Sequence, residues 1–123
     1  MKEKVNDFKK LRVWQKGIDL VKDIYSLTKS FPKEESYGLT SQMRRSAISI
    51  PSNIAERFKR YHAKEDIQFL NIALGSSAEL ETQLIISKEL GYSNEKNLED
   101  IFEKINHISR MVKVAIKKLS IPL

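Results

Sequence analysis

From Tyr37 to Tyr61 the apolar side chains Leu39, Met43, Ala47, Ile50, Ile54, Phe58 and Tyr61 recur at intervals of 4, 4, 3, 4, 4 and 3. That spacing keeps one side of an α-helix apolar and fits no strand, whose side chains alternate with period two. Pro51 stands inside the run, where it removes one backbone hydrogen bond and crowds the carbonyl of Ala47. The apolar phase passes through it unbroken, so one helix over about 38–60, kinked at Pro51, is predicted rather than two.

Three further segments carry the same period. Leu11, Trp14, Ile18, Val21, Tyr25 and Thr28 line one side of a helix over about 11–30, with Ile24 and Leu27 widening the stripe. Gly17 inside it costs up to about 1 kcal/mol relative to alanine, which a closely approaching neighbour helix would justify. Phe31-Pro32 ends the segment, because a proline forces its predecessor out of helical geometry. A helix over about 64–90 is apolar on two sides, with Ile67, Leu70, Leu74 and Ala78 on one and Phe69, Ile72, Ala73 and Leu80 on the other. Such breadth fits two readings equally, contact with a second chain or a central, heavily buried helix. Gly91 is placed to cap it. Ser93 is the expected N-cap of a helix over about 94–119, whose seam Leu98, Ile101, Ile105, Ile108, Val112, Ala115 and Leu119 steps 3, 4, 3, 4, 3, 4. The expected fold class is all-α: an antiparallel, up-down four-helix bundle forming a single domain over 1–123, with a basic N-terminal arm at 1–10.

Composition narrows the class. The chain of 123 residues has no cysteine, which excludes disulfides and thiolate metal sites and suits a cytoplasmic location. MKEKVNDFKKLR lacks the apolar core of a signal peptide, and no apolar run nears the roughly 20 residues of a membrane span. Net charge is +6 and unevenly spread. Residues 1–16 carry +4, 37–64 carry +5 and 107–123 carry +4, while 65–91 carry −4. Clustered fields of this kind attract polyanions.

Catalytic patterns are missing. His62 and His107 are too far apart to form a helical ligand pair, and no paired Glu-x-x-His motif or glycine-rich phosphate loop occurs. Glu79 and Glu81, two apart, project to different sides of a helix. Ser46, Ser49, Ser52 and Asn53 have no evident activating base. The reading is therefore a non-enzymatic protein with no catalytic residues, cofactor or metal.

One set of motifs runs from Phe8, Leu11, Val13, Trp14 and Lys16 through Tyr25, Phe31-Pro32 and Tyr37-Gly38-Leu39-Thr40-Ser41-Gln42. Arg44-Arg45, Ser49-Ile50-Pro51, Asn53-Ile54-Ala55-Glu56, Phe69-Leu70, Gly75-Ser76, Gln83-Leu84 and Leu90-Gly91-Tyr92 extend it. On these residues, from Phe8 to about Leu119, the chain resembles the bacterial four-helix-bundle proteins encoded in intervening sequences of large-subunit ribosomal RNA genes, and the related accessory proteins of diversity-generating retroelements. Arg57 stands where the family usually has glycine, and Gly17 where it usually has alanine. The resemblance implies a homo-oligomer, with pentameric barrels as the recurrent form, and nucleic-acid association in the retroelement branch beside a reverse transcriptase.

Two functions follow as expectations. The first is a homo-oligomeric bundle binding RNA or DNA through phosphate contacts from Lys9, Lys10, Arg12, Arg44, Arg45, Arg57, Lys59 and Arg60. The second is a protein-interaction scaffold for a polymerase or ribosomal component, with no direct nucleic-acid contact. Membrane attachment is disfavoured, because the apolar stripes are needed for the bundle core.

Overall fold

The computed structural model describes residues 7–59 and 63–120. A short 3₁₀ turn at Phe8–Lys10 leads into α1 (Arg12–Thr28); a second at Lys33–Glu35 leads into α2 (Leu39–Lys59), followed by α3 (Ala63–Glu89) and α4 (Glu95–Ser120). No strand occurs among the described residues. Each helix packs on its chain neighbours and α4 packs back on α1, while among the described residues the backbones of the diagonal pairs stay apart, so the four close into a bundle. Contact order fixes the senses of the first three. Phe8 meets Lys59, Gly17 meets Pro51 and Thr28 meets Arg44, so numbers rise along α1 as they fall along α2. Arg57 with Asp66 and Ser49 with Ser76 show the same reversal between α2 and α3.

The predicted seams of α2 and α4 both enter the core, with Met43, Ala47, Ile50 and Ile54 buried on α2 and Leu98, Ile101, Ile105, Ile108 and Val112 on α4. In α1 the buried line is Gly17, Leu20, Ile24 and Thr28, rotated from the predicted stripe. Leu20 is wholly buried, whereas Tyr25 keeps 39% of its surface exposed. Gly17 lies on this buried line: a Cβ there would lie 3.1 Å from Pro51 Cβ, so α1 and α2 approach closely at a position that has no side chain. In α3 the seam is Leu70, Ala73, Ser77, Leu80, Leu84 and Ser87, drawn from both predicted stripes, and Ile72 and Ala78 face outward. Serine is tolerated in this seam because its hydroxyl is satisfied locally: Ser77 Oγ donates to Ala73 O at 3.0 Å and Ser87 Oγ to Leu84 O at 2.7 Å.

The links are held by identifiable caps. Gly91 adopts φ 82°, its N–H bonds to Lys88 O, and the Tyr92 N–H bonds to Ser87 O, closing a Schellman motif that satisfies the last carbonyls of α3. The N-cap of α4 is Asn94, not Ser93. Asn94 Oδ1 accepts from Asn97 N and Asn97 Oδ1 from Asn94 N, both at 2.9 Å, a reciprocal capping box. Ser93 is occupied elsewhere, sharing a 2.7 Å bond with Ser87 Oγ. Glu35 fastens this end of the bundle: Oε1 accepts the Leu39 N–H at the start of α2, and Oε2 accepts the Tyr92 hydroxyl at 2.9 Å.

Candidate nucleic-acid interface

Eight cations were expected to touch phosphate, and the fold separates them. Lys9 and Lys10 lie on the first 3₁₀ turn, Arg12 opens α1, and Arg57 and Lys59 close α2. These five share one end of the bundle because α1 and α2 run in opposite senses there. The turn is pinned from three sides. Asp7 Oδ1 accepts from Lys9 N, Gln15 Nε2 donates to Lys9 O at 2.9 Å, and Phe8 packs edge-on against Trp14 at 5.4 Å between centroids. Lys59 Nζ lies 5.9 Å from the Phe8 ring centre, which draws the end of α2 against the turn.

Arg44 and Arg45 lie apart from this group. Arg44 Nε donates to Thr28 Oγ1 at 2.9 Å and its guanidinium stacks 4.3 Å above the Tyr25 ring, so it covers the C-terminal turn of α1. Such a cation favours the negative end of the helix dipole and is already engaged by the fold. Arg45 lines a groove of about 500 Å³ between α2 and α3 together with Tyr37, Ser49, Ser76, Glu79 and Gln83. Ser49 and Asn53 are structural here: Ser76 Oγ donates to Ser49 Oγ at 2.7 Å and Asn53 Nδ2 to Ser49 O at 2.8 Å. Arg60 and His62 lie outside the described residues, as does the basic arm before Asp7.

The fold also recruits cations that linear reading did not single out. Lys104 Nζ lies 2.6 Å from Asp23 Oδ2, and one turn further along α4 His107 comes under the influence of Lys16 and Arg12 of α1. Helix α4 therefore runs opposite to α1 and carries Arg110, Lys113, Lys117 and Lys118 toward the end that holds Lys9, Lys10 and Arg12. Over the described side chains of 7–17, 52–59, 66–70 and 107–119, ten Lys and Arg face three acids; the remaining described side chains hold eight against eleven. With neighbouring helices in opposite senses their dipoles oppose one another, so side chains set the sign of each end. The missing signal in the sequence was pairing, since the 107–123 run becomes part of a patch only once α4 is laid beside α1.

At this end the described contacts leave most cations unengaged. Arg57 Nε stands 4.0 Å from Asp66 Oδ2, and neither Arg57 Nε nor Asp66 Oδ1 has a hydrogen-bond partner. His107 is held below the usual histidine range by burial first, then by Lys16, Arg110 and Arg12. No group of three or more metal-ligating side chains occurs among the described residues. Nor does any helix of the described residues have the length and apolarity to cross a membrane.

These features define a four-helix bundle whose charge is segregated to one end. Residues 9–114 match the family described as 23S rRNA-intervening sequence protein, and the chain belongs to that family. It is similar to a crystal structure of a protein of unknown function from the S23 ribosomal protein family of Bacteroides thetaiotaomicron. The TM-score is 0.79 at 26% identity, over 85% of this chain and 98% of that one. No curated protein matches the chain.

Proposed function

We propose that the chain is a non-enzymatic, homo-oligomeric bundle that binds nucleic acid through its cationic end, in a cytoplasmic process tied to ribosomal RNA intervening sequences or to a retroelement. The observation that carries this reading is the convergence of Lys9, Lys10, Arg12, Lys16, Lys59 and Arg110 from three parts of the chain onto one end of the fold. Phosphate neutralisation by such a surface releases counterions, which gives affinity with little sequence preference. Self-association is supported by Ile48, Ile72 and Ile86, apolar side chains that the folded monomer leaves 41–43% exposed. A ring of five copies, the form the family resemblance implies, would repeat the cationic end and add weak contacts through multivalency.

Fluorescence anisotropy with labelled 20-nucleotide RNA and DNA over a salt series tests the reading. Direct phosphate binding gives a linear fall of log affinity with log salt; no binding at low salt defeats it. The α2–α3 groove favours a second reading, a scaffold for a polymerase or ribosomal protein, because it joins a polar floor to exposed Tyr37. Under that reading free RNA and DNA stay unbound while a protein partner is retained.

A further inference from the structure

Along α3 a second line of residues runs on the outward side. Ile72, Gly75, Glu79, Thr82 and Ile86 step 3, 4, 3 and 4, which keeps them on one face of the helix, and all five are exposed. Glycine weakens a helix interior relative to alanine, and no heavy atom among the described residues lies within 4 Å of the position a Cβ would take at Gly75. Packing inside the monomer gives no reason for this glycine, whereas a helix approaching closely from outside does. Beside the line, Gln42, Glu79 and Gln83 edge both the groove of about 500 Å³ and an adjoining depression of about 390 Å³ that Thr82 and Ile86 complete. The two make one furrow along α2 and α3. Tyr37, which lines it, is 99% exposed.

Two polar features of the furrow are incomplete. Arg45 on α2 and Glu79 on α3 line it with opposite charge, yet neither side chain makes an ion pair or a hydrogen bond with the other or with any other described residue. Gln83 Oε1 is buried and has no hydrogen-bond partner, and an acceptor so placed gains when a donor arrives. We propose that a second copy of this chain occupies the furrow, with Arg45 of one copy paired to Glu79 of the other and the exposed isoleucines of α3 buried between them. The inference rests on the reading of the chain as a self-associating bundle and deepens it, by assigning the face and the charge pair. Charge complementarity selects this occupant. A polyanion would meet Glu79 and a polycation would meet Arg45, whereas a copy presenting the same face supplies the opposite sign to each. Ile72, Ile86 and Tyr37 supply the apolar and aromatic area that such a contact buries. Nucleic acid is then left with the cationic end.

The test is sedimentation velocity of the full chain over a concentration series reaching the micromolar range. Arg45→Glu and Glu79→Arg should each raise the dissociation constant of self-association at least about tenfold, because like charges then face one another. Both changes in one chain should bring it back to within about threefold of the natural value, since the pair is restored with its signs exchanged. Circular dichroism and melting of the dissociated chain should be the same in all four proteins, because both side chains are exposed. As a second readout, Thr82→Cys introduces the only thiol of a chain that has no cysteine, and its labelling by a maleimide should slow as the copies associate. Single reversals that leave association intact would overturn the face while self-association stands. A double variant that recovers nothing would overturn the pair. Arg45→Glu that weakens RNA binding without changing sedimentation would give the furrow to nucleic acid, and Thr82→Cys labelling independent of concentration would leave it open to a different protein; either result overturns the assignment to a second copy. A natural chain that sediments as a monomer throughout would instead remove the reading on which the face rests.

Discussion

At the end of the bundle that holds the α1–α2 and α3–α4 links, acids outnumber cations and several cations are engaged by the fold. Lys104 bridges Asp23 at 2.6 Å and Asp100 at 3.6 Å, Lys88 reaches Glu95 at 3.4 Å, Arg44 is stacked on Tyr25, and Glu35 holds both Leu39 N and the Tyr92 hydroxyl. At the opposite end, Lys9, Lys10, Arg12, Lys16, Arg110, Lys113, Lys117 and Lys118 make no ion pair among the described residues. The contrast separates two uses of the same residue types. Acids and cations that alternate along a link stabilise it, whereas a surplus of one sign repels itself in the monomer and gains only when a polyanion arrives. A basic residue is therefore weak evidence for nucleic-acid binding until its neighbours are known, and Arg44 is the instructive case.

The sharpest way to break this contrast is to reverse charge at each end. Lys9→Glu, Lys10→Glu and Arg12→Glu in one protein should weaken RNA binding at least about a hundredfold near 0.1 M salt. The same variant should flatten the slope of log affinity against log salt by roughly the number of phosphate contacts removed. Melting temperature should barely move, because all three side chains are exposed or half-exposed and unpaired. Arg44→Ala is the opposing control. It should lower the melting temperature by loss of its stacking on Tyr25 and its bond to Thr28, and leave RNA affinity within about twofold. Equal binding losses from both variants would mean that the ends do not differ.

Much of the fold was legible because α2 and α4 each carry a single apolar seam that a helix of any surroundings would bury. Met43, Ala47, Ile50 and Ile54, and Leu98 through Val112, fell where the spacing put them. The buried line of α1 includes a contact with no linear signature, the close approach of Pro51 to Gly17, where a glycine and not an apolar side chain faces the neighbouring helix. In α3, serines at Ser77 and Ser87 complete the core seam, and hydrophobicity alone does not find them. The same limit applies to the candidate site. Clusters close in sequence, Lys9, Lys10 and Arg12, were visible, whereas Lys16 and Arg110 come to the same end only because α4 returns along α1. Ser93 was passed over as a cap because Asn94 has an amide partner three residues on, and two reciprocal bonds outweigh one.

A smaller effect tests whether the two ends share one stability. Gly17 and Pro51 meet between them, with a Cβ position 3.1 Å from Pro51 Cβ, so Gly17→Leu must force α1 and α2 apart. The overpacking should cost about 2 kcal/mol in urea unfolding. If the bundle unfolds as one unit, tryptophan fluorescence at Trp14 and far-ultraviolet dichroism should shift together. Two separated transitions would show that charge segregation divides the fold into independent halves.

The smallest expected effect belongs to the end where charge is paired. Lys104 titrates above the usual lysine range, chiefly through its hydrogen bond to Asp23, with lesser contributions from the charges of Asp23, Asp100 and Asp19 and an opposing one from burial. A cation favoured in the folded state stabilises fully below its unfolded pKa, and that contribution is lost as pH rises through the folded value. Both partners keep about a third of their side-chain surface exposed, 35% and 30%, so solvent screening limits the pair. Asp23→Asn should therefore cost about 0.5–1 kcal/mol at pH 7. That difference from the natural chain should shrink toward zero in strongly alkaline solution, as Lys104 loses its proton in both proteins. RNA affinity at pH 7 should not change. A loss of stability that persists undiminished at high pH would assign the role of Asp23 to packing, and would place the charge at this end, like that at the other, outside what holds the helices together.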